Sequence, residues 1–456
     1  MEELMTRLLG VFSLIVFPLV VGIAQGKRDA KESQIFPYTI NQVTLDNGLK
    51  IVSIPFDSPG IIAYYTVVRT GSRNETEPGK SGFAHFFEHM MFRGTEKYPA
   101  AKFNDVLKLM GADNNAFTSD DETVFHTVAS SDALESIMDL ESDRFMHLKY
   151  SEEDFKTEAG AILGEYNKNA SNPFQAIEEK IRDTAYTVHT YKHTTMGFLK
   201  DIQNMPNQYQ YSLTFFDRWY RPENCVVVVV GDFDQEKLIT LAKKYYGEWK
   251  HGSYTLDVPA ERPQQEEKTI NLPWKSKTLP TLAIAYHGPA FSDSQIDMAA
   301  MNLLSMSVFG ETSDLYRKLV VDGQLVESVR GEMEENRDPG LFYVFARIKN
   351  RNNIETVRNA IYQAIETAKT EPVSAERLAS IKEHMKYRFA MGLDNADHVA
   401  NNIARFITLT NNPESVNLLY SLYDRVTPDD IMSVAKKYFS QNNRTVLLLT
   451  QQEGKQ

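Results

Sequence analysis

Cysteine is almost absent from the chain: its 456 residues include only Cys225. A single thiol excludes an internal disulfide and a cysteine-rich zinc site, and its place in an apolar run predicts a core residue. Lysine and arginine are outnumbered by aspartate and glutamate, so the formal net charge is −12 at pH 7. No cluster of basic residues with interleaved aromatics occurs, and nucleic acid is therefore not expected as a partner.

Apolar runs that approach the length of a membrane span are missing except near the N-terminus, where residues 8–24 are almost wholly apolar. Ala24 and Gly26 are small residues where a signal peptidase would cut, so residues 1–26 are predicted to be a cleaved secretory signal. An uncleaved anchor is the alternative, although the run falls short of about 20 residues and contains Pro18. We expect export, most simply into a bacterial periplasm, without stable membrane insertion after cleavage.

The residues that can carry chemistry are concentrated in residues 81–94, which read SGFAHFFEHMMFRG. His85 and His89 are four positions apart, so on an α-helix their imidazoles share one face and can reach the same Zn²⁺. Glu88 is close enough to hydrogen-bond a water on that metal without being a ligand. The order H-x-x-E-H is the inverse of the commoner H-E-x-x-H zinc-peptidase motif.

A helix over this segment is expected to begin at Ser81 and to end at Gly94. A core helix with two hydrogen-bonded histidines is the alternative interpretation. Catalytic zinc keeps three protein ligands, so a third must come from a neighbouring element. The helix predicted over Glu152–Asn169 offers Glu158 and Glu165, nearly on one face and among apolar residues, where a buried charge needs a partner or a metal. A solvated helix face is the alternative there.

The order of predicted elements indicates two domains. We predict an N-terminal zinc-binding domain over residues 35–250, a linker over 251–270 that has little apolar periodicity, and a C-terminal domain over 271–456. The predicted fold class is α+β, with two homologous domains that each combine a mostly antiparallel sheet with packed helices.

The second half repeats the first in degenerate form. The helix predicted over Ile296–Phe309 corresponds to the metal helix, with Met301 and Ser305 at the positions of the two histidines. The C-terminal domain is therefore expected to lack metal ligands.

The inverted motif followed by Glu165 resembles the pitrilysin/insulinase (inverzincin) family of zinc metallopeptidases, of the bacterial two-domain type. The resemblance covers nearly the whole chain and includes the segments GADNNAFTSDDETVF and FFDRWYRPENCVVVVVGDF. It implies one Zn²⁺ per chain held by His85, His89 and Glu165. It also implies that Glu88 is the general base and that Glu158 supports a ligating histidine from behind.

The resemblance further implies an endopeptidase that cleaves short or unfolded peptides in a closed chamber by metal-activated water. Asn115, Ala116 and Phe117 resemble the edge-strand residues that hold a substrate backbone by β-strand addition. Ordinary core packing is the alternative for Phe117. A metal other than zinc stays open, although two histidines and one glutamate without a thiol suit zinc.

One segment departs from the family pattern. Active members carry an Arg and a Tyr in the second domain, in the pattern L-R-x-x-x-G-L-x-Y, which hold the substrate and the oxyanion. Here those positions are Val320 and Glu327, while Arg317 and Tyr316 lie one turn away in the wrong order. We therefore expect a heterodimer in which a homologous zinc-less subunit supplies the pair, with a homodimer as the second possibility. A non-catalytic assembly or chaperone-like subunit and a peptide-binding module are the alternative functions.

Overall fold

The structure is a computed structural model that describes residues 34–452; the predicted signal segment lies outside them. Within this range no helix combines the length and apolar character that crossing a membrane requires. The described strands form one six-stranded and one five-stranded sheet. They are β1 Asn41–Thr44, β2 Lys50–Pro55, β3 Ile61–Val68, β4 Asp113–Thr118, β5 Thr123–Ser130, β6 Cys225–Gly231, β7 Lys268–Trp274, β8 Thr281–His287, β9 Val326–Met333, β10 Leu341–Ile348 and β11 Arg444–Gln451.

The two sheets have the same topology. The first has the order β1-β2-β6-β3-β5-β4 and the second the order β7-β11-β8-β10-β9. Apart from β1, the strands correspond one to one. The pairs β2–β6 and β7–β11 are parallel, and the other neighbours are antiparallel. This confirms the predicted α+β class with two mostly antiparallel sheets.

The described part of the chain has eight α-helices of six or more residues in its first half and six in its second half. They are α1 Phe83–Met90, α2 Ala100–Leu109, α3 Leu134–His147, α4 Glu152–Asn169, α5 Pro173–Ala185, α6 Leu199–Asn204, α7 Tyr209–Trp219, α8 Gln235–Tyr246, α9 Ile296–Phe309, α10 Ile354–Thr370, α11 Ala375–Met391, α12 Ala396–Thr410, α13 Ser415–Arg425 and α14 Pro428–Tyr438. Helix α1 follows β3 as α9 follows β8. Residues 247–267 contain no helix or strand, and β7 begins inside the predicted linker.

Each sheet is covered on one face by helices of its own half and on the other face by a helix from the other half. Ile177 and Ile181 of α5 pack in one cluster with Ala283 and Ala285 of the second sheet. Reciprocally, α12 packs against β3 and β6 of the first sheet. A sheet must bury both apolar faces, so each half depends on the other for a closed core.

Candidate metal centre

Helix α1 is short, and most of its surface is occupied by aromatic rings. Phe83, Phe86 and Phe87 are fully buried and fasten the helix to its own half. Since these rings take the core-facing side, His85 and His89 share the remaining face one turn apart, as the four-residue spacing requires.

The ends of α1 differ from the prediction. Its N-cap is Gly82, at φ +93°, where a Cβ would lie 2.8 Å from a backbone carbonyl oxygen. The Ser81 hydroxyl does not cap the helix; it donates to the Asp201 carboxylate at 2.6 Å. The helix ends at Met90, and Gly94 lies beyond it in a left-handed turn. Tertiary contacts at both ends therefore override the local capping signals.

The structure brings His85, His89 and Glu165 together, with one candidate ligand atom from each residue within 4.8 Å of the others. Glu165 Oε2, from α4, lies 3.7 Å from His85 Nε2 and 3.4 Å from His89 Nε2. A tetrahedron with bonds of about 2.0–2.1 Å separates its ligand atoms by about 3.3 Å. Two imidazoles and one half-exposed carboxylate at this spacing fit a zinc ion with one position open to solvent.

Burial and hydrogen bonding prepare the two imidazoles differently. Burial, reinforced by the neighbouring His89, lowers the pKa of His85 to about 4, so His85 is neutral at pH 7 as metal ligation requires. His89 Nδ1 lies 3.0 Å from Glu158 Oε1, and this hydrogen bond raises the pKa of His89. The other Glu158 oxygen accepts from Arg93. Glu158 is buried behind His89 and holds its Nε2 toward the cluster.

Glu88 is held from the neighbouring strand. The Thr118 hydroxyl of β4 donates to Glu88 Oε2 at 2.6 Å, and burial raises the pKa of Glu88. The sequence interpretation missed Thr118 and Arg93. Thr118 lies in the segment that resembles the family's substrate-side strand, and this was the available signal for it. Nothing in the local pattern marked Arg93.

Strand β4, which carries Asn115, Ala116 and Phe117, is the outermost strand of the first sheet beside Glu88. Side chains alternate along a strand, so Ala116 lies on the Thr118 face while Asn115 and Phe117 lie on the opposite face. There, Asn115 pairs with His126, and the Phe117 ring lies 6.4 Å from the His126 ring. These three residues therefore place the backbone edge of β4 beside the metal centre, and their side chains do not converge on it.

The second half holds no equivalent centre among the described residues. In α9, Met301 is buried and the Ser305 hydroxyl donates to a backbone carbonyl of β9. Val320 is partly buried in the core, and Glu327, at the start of β9, forms an ion pair with Arg347 at 2.6 Å. Glu327, which the sequence analysis aligned with the family's tyrosine, is thus engaged with a neighbouring strand of its own sheet.

Comparison with known proteins finds similarity over most of the chain. The family described as "Insulinase (Peptidase family M16)" matches residues 62–198, and "Peptidase M16 inactive domain" matches residues 208–385. The zinc protease PqqE of Helicobacter pylori is 28% identical over 450 residues, which cover 97% of this chain and 98% of that protein. The mitochondrial-processing peptidase subunit beta of Bos taurus is 26% identical over 405 residues, covering 86% and 81%. The crystal structure of a protease from Helicobacter pylori matches with a TM-score of 0.84 at 27% identity, covering 91% of this chain and 99% of that chain.

The fold and the site together define the class: a two-domain protein with an inverted zinc-peptidase motif on a helix of its first half. The chain belongs to the insulinase family, peptidase family M16. The family predicted from the motif is thereby confirmed.

Proposed function

We propose that the chain is a zinc endopeptidase, with one Zn²⁺ held by His85, His89 and Glu165 and with Glu88 as the general base. The observation that carries the proposal is the approach of Glu165 Oε2 to both imidazoles, at 3.4 and 3.7 Å, with Glu88 on the same helix. The zinc protease name of the Helicobacter relative supports zinc as the metal.

The proposed chemistry assigns a separate task to each side chain. Bound zinc supplies Lewis acidity, which lowers the pKa of a water toward ~7 and polarises a scissile carbonyl. Glu88 takes a proton from the attacking water at Oε1, since Oε2 already accepts from Thr118, and passes it to the leaving amine nitrogen.

Short or unfolded peptides are the proposed substrates. The outer edge of β4, next to Glu88, suits an extended peptide added as a further strand, with affinity from main-chain hydrogen bonds and little demand on sequence. The proposed chamber closes around the peptide when a second subunit covers the site.

The Glu88→Gln variant tests the catalytic assignment. We expect zinc binding to be kept and kcat on an unstructured peptide to fall by about 10²–10⁴, because the proton acceptor is lost. Glu96→Gln, on an exposed loop side chain, is the matched control and should behave as wild type. Chelator-resistant hydrolysis by the wild type, or full hydrolysis by Glu88→Gln, would contradict the assignment.

The proposed partner is a homologous subunit that lacks zinc ligands and supplies the Arg and Tyr. Val320 and Glu327 occupy the two positions here, and the Bos taurus relative is itself named as a subunit. A missing oxyanion stabiliser is worth about 10²–10³ in kcat. The isolated chain should therefore bind zinc but turn over slowly, and co-purification with a zinc-less homologue should restore that factor. Full turnover by the isolated chain would refute the heterodimer, and a self-associating active form would favour the homodimer.

The alternative proposal is a non-catalytic assembly or chaperone-like subunit that retains the fold. The description of the match over residues 208–385 as an inactive domain motivates it for the second half. If this alternative is right, Glu88→Gln should leave assembly and any partner's activity unchanged, because Glu88 would have no catalytic task. Export remains part of the main proposal, on the strength of the apolar residues 8–24.

A further inference from the structure

Glu75 lies in a loop before the metal helix and is buried, with its side chain fully shielded from solvent. One of its oxygens accepts from the Gly82 N–H and the other from the Ala84 N–H, each at 2.7 Å. These donors belong to the N-cap and first turn of α1, whose N–H groups have no partner within the helix. The Gly82 N-cap has no side chain to satisfy them, so a carboxylate seven residues upstream takes that role.

The loop that carries Glu75 is itself tied to strand β4. The Ser72 N–H donates to the Ser119 carbonyl at 3.3 Å, and the Arg73 N–H donates to the Asp120 carbonyl at 2.8 Å. Ser119 directly follows Thr118, the residue that holds Glu88. One short segment therefore connects the end of β4 to the start of the metal helix.

We propose that Glu75 is a positioning residue that sets the metal helix against β4, and thereby His85 and Glu88 against each other and against Thr118. Its carboxylate fixes the amide immediately before His85, in a helix of only eight residues. Above its raised pKa of about 8, the ionised Glu75 also places a negative charge where the helix dipole favours it. The inference rests on the proposed zinc site and adds to it a residue that contacts neither metal nor substrate.

The Glu75→Gln variant removes the charge at almost constant volume. A glutamine amide offers one acceptor oxygen, and its NH₂ group faces a second N–H, so one of the two helix amides loses its partner. Partners that hydrogen-bond a metal ligand directly are worth about 10–100-fold in affinity. Glu75 acts one step further away, through the Ala84 amide, so we expect zinc affinity to fall about tenfold, at the lower end of that range. We also expect kcat at saturating zinc to fall and amide hydrogen exchange over residues 81–90 to accelerate.

Two variants separate positioning from plain stability. Ser81→Ala breaks the hydroxyl contact to Asp201 and loosens the same region without touching Glu75. Glu77→Gln removes a partly exposed acid that pairs with Arg218 and serves as the charge control. Ser81→Ala should lower the melting temperature with zinc affinity nearly unchanged, and Glu77→Gln should match wild type. Because burial raises the pKa of Glu75 to about 8, titrations are run at about pH 8.5.

The inference would be overturned if folded Glu75→Gln had the zinc affinity and kcat of the wild type. It would also be overturned if Ser81→Ala lost as much stability as Glu75→Gln and lost as much zinc affinity with it. If Glu75→Gln does not fold, Glu75→Asp replaces it. Aspartate keeps the charge but is too short to reach both amides, so a smaller but measurable loss of zinc affinity is expected, and wild-type affinity again overturns the inference. Absence of zinc binding by the wild type would instead refute the proposed function.

Discussion

Replacing Glu158 by glutamine tests whether the support behind His89 sets the affinity for zinc. Glu158 is buried and hydrogen-bonds His89 Nδ1 at 3.0 Å with one oxygen and Arg93 with the other. Glutamine fills nearly the same volume, so packing is kept while two charge-assisted contacts are weakened. Loss of such a partner costs about 10–100-fold in metal affinity, equivalent to about 1.4–2.7 kcal/mol.

The assay is a competition titration of the purified chain with a chromophoric zinc chelator at neutral pH. Glu153→Gln is the matched control, because it makes the same substitution on an exposed position of the same helix. The expected result is a dissociation constant raised about 10–100-fold for Glu158→Gln and unchanged for the control. Unchanged affinity in Glu158→Gln would refute the assigned role, and so would an equal loss in Glu153→Gln.

Two further predictions concern stability. Gly160 and Gly164 lie on the exposed face of α4, and a Cβ at either position would meet nothing within 4 Å. Replacing either glycine by alanine should therefore raise the free energy of unfolding, measured by urea denaturation, by about 0.5–1 kcal/mol. A decrease would show that the face is packed. Burial raises the pKa of Glu122 to about 7, against the lowering effect of the Thr408 hydroxyl; the folded chain thus retains a proton that the unfolded chain releases above about pH 4.5. The stability that this proton contributes is fully present below about pH 4.5 and is lost as the pH rises through about 7. The urea midpoint of the zinc-free wild type should therefore decrease, relative to that of Glu122→Gln, as the pH is raised from about 5 to about 8. Midpoints that change in parallel for the two proteins would contradict the raised pKa.

Helices that depend on local periodicity agreed with the sequence almost residue for residue. The helices predicted over Glu152–Asn169 and Ile296–Phe309 have the bounds observed. Apolar positions recur at helical spacing in these helices. The helix Glu152–Asn169 also begins at a local cap, Ser151, whose hydroxyl accepts from the Asp154 N–H. The interaction that decides such an element lies within a few residues, so a linear pattern contains it.

Several residues around the centre act through contacts that no helical spacing or local cap predicts. Glu75 accepts hydrogen bonds from amides at least seven residues further along the chain. Thr118, on a strand, donates to Glu88 on the metal helix, and Arg93 donates to Glu158 on another helix. The capping role expected of Ser81 was wrong for the same reason: a contact with Asp201, distant in sequence, outweighs a local hydrogen bond.

The sequence by itself determined the family, the two-domain α+β plan, and the residues from which a metal site could be built, because residue spacing within a helix and the succession of elements along the chain are contained in the sequence. Only the tertiary structure decided how Glu165 meets both imidazoles, which side chains hold Glu88 and His89, and that each sheet is closed by a helix of the other half. Those contacts join segments far apart in the chain, and their geometry depends on how whole elements pack rather than on any pattern within one of them.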